Sequence, residues 1–226
     1  LRRQLLLASL VRRWDAAERD GTLSFAQAAA LAESLAAMMD EVETQEIDLR
    51  NIKDLVPASL AEHWQSVTGF LDLLQDQWPS LLAAEGRLNP VYRRSAAIRL
   101  LAKRLEETPP DGLVVAAGST GSIPATGALL GTIAQLTQGA LVLPGLDRGL
   151  DAESWEKLDP GHPQYGLKQL LERIGMARED VADWHGASVR PARELLLRET
   201  LRPAPTTDAW RAIADRGKDS IETGLP

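Results

Sequence analysis

The chain has 226 residues, 44% hydrophobic and 25% charged, with a formal net charge of −7. This acidic balance excludes a surface that binds nucleic acid on every side, but it allows a local basic face. The absence of cysteine excludes disulfides and cysteine metal sites, and it fits a cytoplasmic protein. No apolar run approaches the roughly 20 residues that a membrane-spanning helix needs, so we expect no membrane partner.

Residues 1–107 show helical periodicity and predict a helical subdomain. Ser24 can cap an alanine-rich helix that runs to about Thr44. A later helix contains Trp78-Pro79, which predicts a break because an internal proline removes a backbone hydrogen bond. We expect the alanine-rich helix to bury its periodic apolar residues: Phe25, Ala28, Leu31, Leu35, Met38 and Met39.

Asn89-Pro90 predicts the start of a strong helix that runs to about Glu107, because asparagine caps helices and proline suits the first turn. Its basic residues could contact a DNA backbone, since arginine matches phosphate geometry. They could equally form a solvated face paired with nearby acids. The candidates are Arg87, Arg93, Arg94, Arg99, Lys103 and Arg104, with a second set, Arg190, Arg193 and Arg198, on a helix predicted over 188–201.

The turn-rich stretch 108–112 separates the helical part from a predicted α/β part, residues 112–226. Leu113–Ala117 is an apolar run without alternation, which indicates a strand buried on both faces of a parallel sheet. A glycine-rich turn follows, then a helix from Ser122 as cap and Pro124 in the first turn to about Gln138. Ala140–Leu143 is the second strand, so the stretch predicts a βαβ unit.

The turn between the first strand and its helix is Gly118, Ser119, Thr120, Gly121 and Ser122. A glycine-rich turn before a helix N-terminus can cradle phosphate. This turn lacks the lysine of a P-loop and the GxGxxG pattern, and the strand before it ends without the carboxylate that would hold magnesium. We interpret it as a structural or interaction loop; the alternative is a weak anion-binding loop.

Two long motifs carry a family resemblance. VVAAGSTGSIPATGALLGTIAQLTQGALVLPGLD and DPGHPQYGLKQLLERIG resemble the AddB subunit of the AddAB double-strand-break repair helicase-nuclease, in the form that lacks a functional ATP site. The resemblance implies a superfamily 1 helicase-like fold, an AddA-like partner subunit and DNA. It places the strand ending at Ala117 where helicases carry their Asp-Glu box, and Asp147 just beyond the third helicase motif.

The predicted fold is α/β and predominantly helical: a helical subdomain, then an incomplete P-loop-helicase-like parallel βαβ unit with further helices. Because the chain begins with leucine and shows only two strands, we expect it to be a piece of a larger protein. No catalytic constellation or metal site is present in the sequence, and we expect no cofactor. The favoured function is a non-catalytic helicase-like scaffold and DNA guide. The alternative is a small-molecule enzyme or binding domain that holds a phosphorylated ligand at 118–122.

Overall fold

The computed structural model describes residues 1–18, 21–49, 61–184 and 190–211, which form two compact units, Leu1–Ala97 and Ile98–Pro226. The predicted mixture of many helices with one parallel βαβ unit is confirmed. None of the described helices is long and apolar enough to cross a membrane. In chain order the elements are α1 (Arg2–Glu18), α2 (Phe25–Thr44), α3 (Ala61–Ala84), α4 (Pro90–Glu107), β1 (Val114–Ala117), α5 (Pro124–Gln135), β2 (Gly139–Val142), α6 (Ala152–Glu156), α7 (Tyr165–Ile174) and α8 (Pro191–Thr200).

The first unit has a core built from one side of α1, α2 and α3. The predicted cap at Ser24 is confirmed, since its hydroxyl accepts from the Gln27 N–H and the Gln27 side chain accepts from the Ser24 N–H. Arg3 donates to both carboxylate oxygens of Asp40 at 2.8 Å and so ties α1 to α2. The buried residues of this core are Leu7, Ala8, Leu10, Val11, Ala28, Ala32, Leu35, Leu49, Leu71, Leu74 and Trp78.

Two expectations for this unit are wrong. Phe25 and Leu31 are each 50% exposed and Met38 is 38% exposed, because the narrow alanine stripe of α2 faces α1 and turns these side chains outward. Pro79 does not end its helix, since α3 continues through it to Ala84. The apolar stripe also continues across the proline, from the buried Trp78 to the half-buried Leu82, and this packing offsets the one lost hydrogen bond.

The second unit contains the predicted βαβ unit. β1 and β2 pair in parallel, with Val114 opposite Gly139 and Ala117 opposite Val142. The connecting helix α5 packs on both strands and buries Leu130 and Ile133. It begins at Pro124 as predicted, but it ends at Gln135, three residues earlier than expected, so that Leu136–Gln138 can turn the chain back into β2.

One face of β1 is exposed, so the expectation of a strand covered on both faces is wrong, whereas all four residues of β2 are half-buried. Val114 and Ala116 are half-buried, whereas Val115 is 49% exposed and Ala117 is exposed. Side chains alternate across a strand, so α5 covers one face and Val115 lies on the other. Leu113, just before β1, is 69% exposed.

We predict that Gly139→Ala destabilises the chain by roughly 2 kcal/mol or more, because overpacked cores typically lose 1–3 kcal/mol. A Cβ at this position would lie 1.8 Å from the Ile133 carbonyl oxygen, where α5 meets β2. Gly112→Ala is the matched control, since nothing lies within 4 Å of its Cβ position. Urea unfolding of both variants is the measurement, and equal midpoints would contradict the close approach.

Candidate functional site

The loop Gly118–Ser122 lies at the carboxyl end of β1 and leads into the N-terminus of α5. Gly121 has a φ of 64°, and a Cβ on it would lie 3.2 Å from the end atoms of both Leu130 in α5 and Leu170 in α7. The loop is therefore wedged between two helices, and only glycine suits this position.

The hydroxyl groups of this loop form hydrogen bonds within the loop. Ser119 Oγ accepts from the Gly121 N–H at 3.3 Å, and the Thr120 and Ser122 hydroxyls lie 3.4 Å apart. Ser122 does not cap α5, contrary to expectation; the N-cap is Ile123, without a side-chain hydrogen bond. Pro124 has no N–H to cap, which reduces the need for such a bond. The arrangement is that of a packed turn.

Arg173 is a cation near this loop that the sequence reasoning did not single out. It comes from α7, and its Nη1 donates to the Pro124 carbonyl oxygen at 2.8 Å. The packing of α7 on α5 brings it there. The sequence does contain a signal for this position. Arg173 is one helical turn after the buried Leu170, so both residues lie on the face of α7 that packs against α5.

An ion pair between Asp147 and Arg198 holds the loop after β2. The sequence analysis listed Arg198 as a candidate DNA contact and placed Asp147 beyond a helicase motif. Arg198 Nε donates to both oxygens of Asp147, at 2.8 and 3.0 Å, and both side chains are about four-fifths buried. Asp147 Oδ1 also accepts from the Gly149 N–H at 3.0 Å. This ion pair fixes the loop to α8. The two residues line a cavity of about 550 Å³ between the loop and α8.

A second polar network fastens the same part of the unit. The Arg202 side chain is 8% exposed, bonds Glu199 at 2.7 and 2.8 Å, and also donates to Asp151. The Ser154 hydroxyl bonds Thr206 at 2.8 Å. Burial alone would raise the pKa of Asp151, but hydrogen bonds from the Ser154 N–H and hydroxyl and from Arg202 outweigh it and lower that pKa to about 2.

The basic candidates around α4 have different surroundings. Arg87, Arg93 and Arg104 are exposed, and none forms an ion pair within the described part of the chain. Lys103 pairs with Glu107 at 3.5 Å on the exposed surface, and Arg94 Nη2 donates to Thr44 Oγ1 at 3.4 Å. Arg99 is exposed and has an interaction partner.

The basic candidates on and just before α8 also differ in whether they have a partner. Arg193 is exposed, and it has no ion pair to the residues that the structure describes. Arg190, which precedes the helix, has an interaction partner, and Arg198 is committed to Asp147. Residues 188 and 189 of the predicted helix lie outside the described residues; the helix is seen from Pro191.

No group of three or more His, Asp or Glu side chains within the described ranges could hold a metal ion. Both ring nitrogens of His162 are engaged: Nε2 lies 2.8 Å from the Leu201 carbonyl oxygen and Nδ1 accepts from the Gln164 N–H at 3.0 Å. These two contacts hold the His162 ring in place and give it a structural role.

No family model, no curated protein and no solved structure matches this chain.

We predict that Arg198→Ala lowers the free energy of unfolding by roughly 1–3 kcal/mol, because it leaves a mostly buried carboxylate without its partner. Arg193→Ala, on the exposed side of the same helix, should change it by less than about 0.5 kcal/mol. Urea denaturation of the two variants makes the comparison. Equal stability would show that the Asp147–Arg198 pair does not hold the loop.

We predict that protonation of the Asp151 carboxylate lowers the free energy of unfolding at low pH. Its pKa is lowered from 3.8 to about 2 on folding, so its contribution is complete above 3.8 and is lost as the pH falls through about 2. The difference in unfolding free energy between the parent chain and Asp151→Asn should therefore shrink over that window. Asp208→Asn is the control, since its side chain is 91% exposed. A difference that stays constant with pH would contradict the assignment.

Proposed function

We propose that this chain is a non-catalytic, helicase-like segment of a double-strand-break repair helicase-nuclease subunit of the AddB kind, acting in the cytoplasm. In this role it is a scaffold and a DNA guide, with an AddA-like helicase-nuclease subunit and DNA as partners. The observation that carries the proposal is a βαβ unit with a glycine-rich turn at the end of β1 and none of the ionic groups of a nucleotide site.

The chemistry of the turn supports a role without ATP hydrolysis. A P-loop uses a lysine on the terminal phosphates and a carboxylate-held magnesium ion. The turn at Gly118–Ser122 has neither residue type, and its hydroxyls bond within the loop. Arg173 engages the carbonyl of Pro124.

The exposed face of β1 supports a scaffold within a larger assembly. Parallel sheets are normally covered on both faces, and two strands do not make a stable sheet by themselves. Here Leu113 and Val115 are 69% and 49% exposed beside a two-stranded sheet. Further strands or helices of the same protein or of a partner subunit would bury this apolar surface.

The exposed arginines support the guide role. Arg87, Arg93, Arg104 and Arg193 are exposed without an ion pair to a described residue, whereas Arg198 is bound to Asp147. The proposed DNA contacts are therefore the first four, together with the exposed Lys103, whose surface pair with Glu107 is weak. Phosphate contacts of this kind are independent of sequence and sensitive to salt.

We predict that the chain binds DNA with an affinity that falls steeply as the salt concentration rises. On single strands, the double variant Arg93→Ala, Arg104→Ala should reduce the slope of log K against log salt by about 1.4, because each lost phosphate contact contributes about 0.7. Arg12→Ala, Arg13→Ala on α1 removes the same charge from another exposed surface and is the control. Fluorescence anisotropy of labelled DNA over a salt series is the measurement.

Two results would contradict the guide role. One is the absence of DNA binding even at low salt. The other is an equal loss of slope in both double variants, which would indicate an effect of net charge and not of position.

A further inference from the structure

One segment of the first unit combines an exposed aromatic ring with exposed arginines that form no ion pair to a described residue. Residues 86–97, GRLNPVYRRSAA, contain Arg87, Arg93 and Arg94 and no acidic residue. Tyr92 is exposed, with Arg93 next to it in sequence and Arg87 five residues before it. The exposed Trp210 also has an arginine next to it, but Arg211 pairs with Asp208 at 4.0 Å.

The start of this surface is held in place by the end of α3. Gly86 adopts a φ of 61°, and the Arg87 N–H donates to the Leu82 carbonyl oxygen at 2.8 Å. These are the features of a helix C-terminal motif that reverses the chain direction. Asn89 is 5% exposed and donates through Nδ2 to Glu43, which anchors the next turn. Arg87 and Leu88 therefore lie on a tight connection, with Leu88 60% exposed.

The first turns of α4 direct Tyr92 and Arg93 away from the core. Ser95 is buried and Val91 is half-buried, which defines the inner side of the helix. Tyr92 is 50% exposed and Arg93 is exposed. One turn further on, at the position next to Tyr92 on the helix surface, stands the exposed Ala96, whose small side chain leaves space beside the ring.

We propose that this surface binds single-stranded nucleic acid, with a base stacked on the Tyr92 ring and the adjoining phosphates contacted by Arg87 and Arg93. The inference rests on the proposed DNA-guide function and refines it to one strand form and one site. An exposed ring beside cations fits unpaired bases, whose faces are accessible, and not duplex DNA, whose base faces are stacked. All the charged residues from 86 to 97 are arginines, which suits a polyanion; the neighbouring carboxylates Glu43 and Glu85 are bonded to Asn89 and Arg2.

The test measures binding of the full chain to a labelled oligothymidylate and to a duplex of the same length at one low salt concentration. Tyr92→Ala should weaken oligothymidylate binding by roughly 5-fold or more, as stacking contributes about 1–3 kcal/mol per base. It should leave duplex binding unchanged. Tyr92→Trp should keep or increase the single-strand affinity, because the aromatic face is retained.

The matched control is Phe25→Ala, since Phe25 is also 50% exposed in the same unit but has no neighbouring arginine. If Tyr92→Ala behaves like Phe25→Ala while the chain still binds DNA, the stacking site is overturned and the guide role stands. If single strands and an acidic polyglutamate compete equally regardless of Tyr92, the surface recognises charge only, which also overturns it. If no DNA is bound at all, the proposed function itself fails.

Discussion

The second unit depends on one close approach, where the end of α5 meets the start of β2. The Ile133 carbonyl oxygen occupies the space that a side chain at Gly139 would need. This contact lets α5 turn back within three residues and lie against both strands. With α5 in place, Leu130 and Leu170 close over Gly121, and α7 brings Arg173 to the helix N-terminus. The position of the Gly118–Ser122 loop therefore depends on the close contact between Ile133 and Gly139, which sets how α5 lies on the two strands.

The segment after β2 is organised by charge. Asp147 and Asp151 lie in the connection after β2, and each pairs with an arginine from α8 or just after it, Arg198 and Arg202. The Asp147–Arg198 pair is mostly buried, so breaking it is costly because the remaining charge stays without a partner, whereas Asp151 is 46% exposed and its pair is only partly buried. These two arginines therefore stabilise the fold, while Arg87, Arg93, Arg104 and Arg193 are exposed without an ion pair to a described residue. Paired and unpaired arginines look alike in the sequence, and only their burial and their partners distinguish them. The small number of unpaired arginines in the described part of the chain supports the proposal of a scaffold with a limited binding surface.

Local signals predicted much of the fold from the sequence. The Asn89-Pro90 start of α4 and the Ser24 cap each depend on neighbouring residues, and each is found in the structure. The failures involve tertiary packing. The exposure of Val115 and Leu31 depends on which surfaces meet, and the passage of α3 through Pro79 depends on a buried tryptophan. Likewise, the partner of Arg198 lies 51 residues away, and no spacing rule identifies it.

We propose that the βαβ crossover is the framework of a nucleotide-dependent motor without the ionic groups that bind its triphosphate. The most direct measurement is a calorimetric titration of the full chain with ATP, with and without magnesium. The account predicts no saturable heat in either condition. Saturable, magnesium-dependent binding that Arg173→Ala abolishes would contradict it, because it would place a working phosphate site at the Gly118–Ser122 loop.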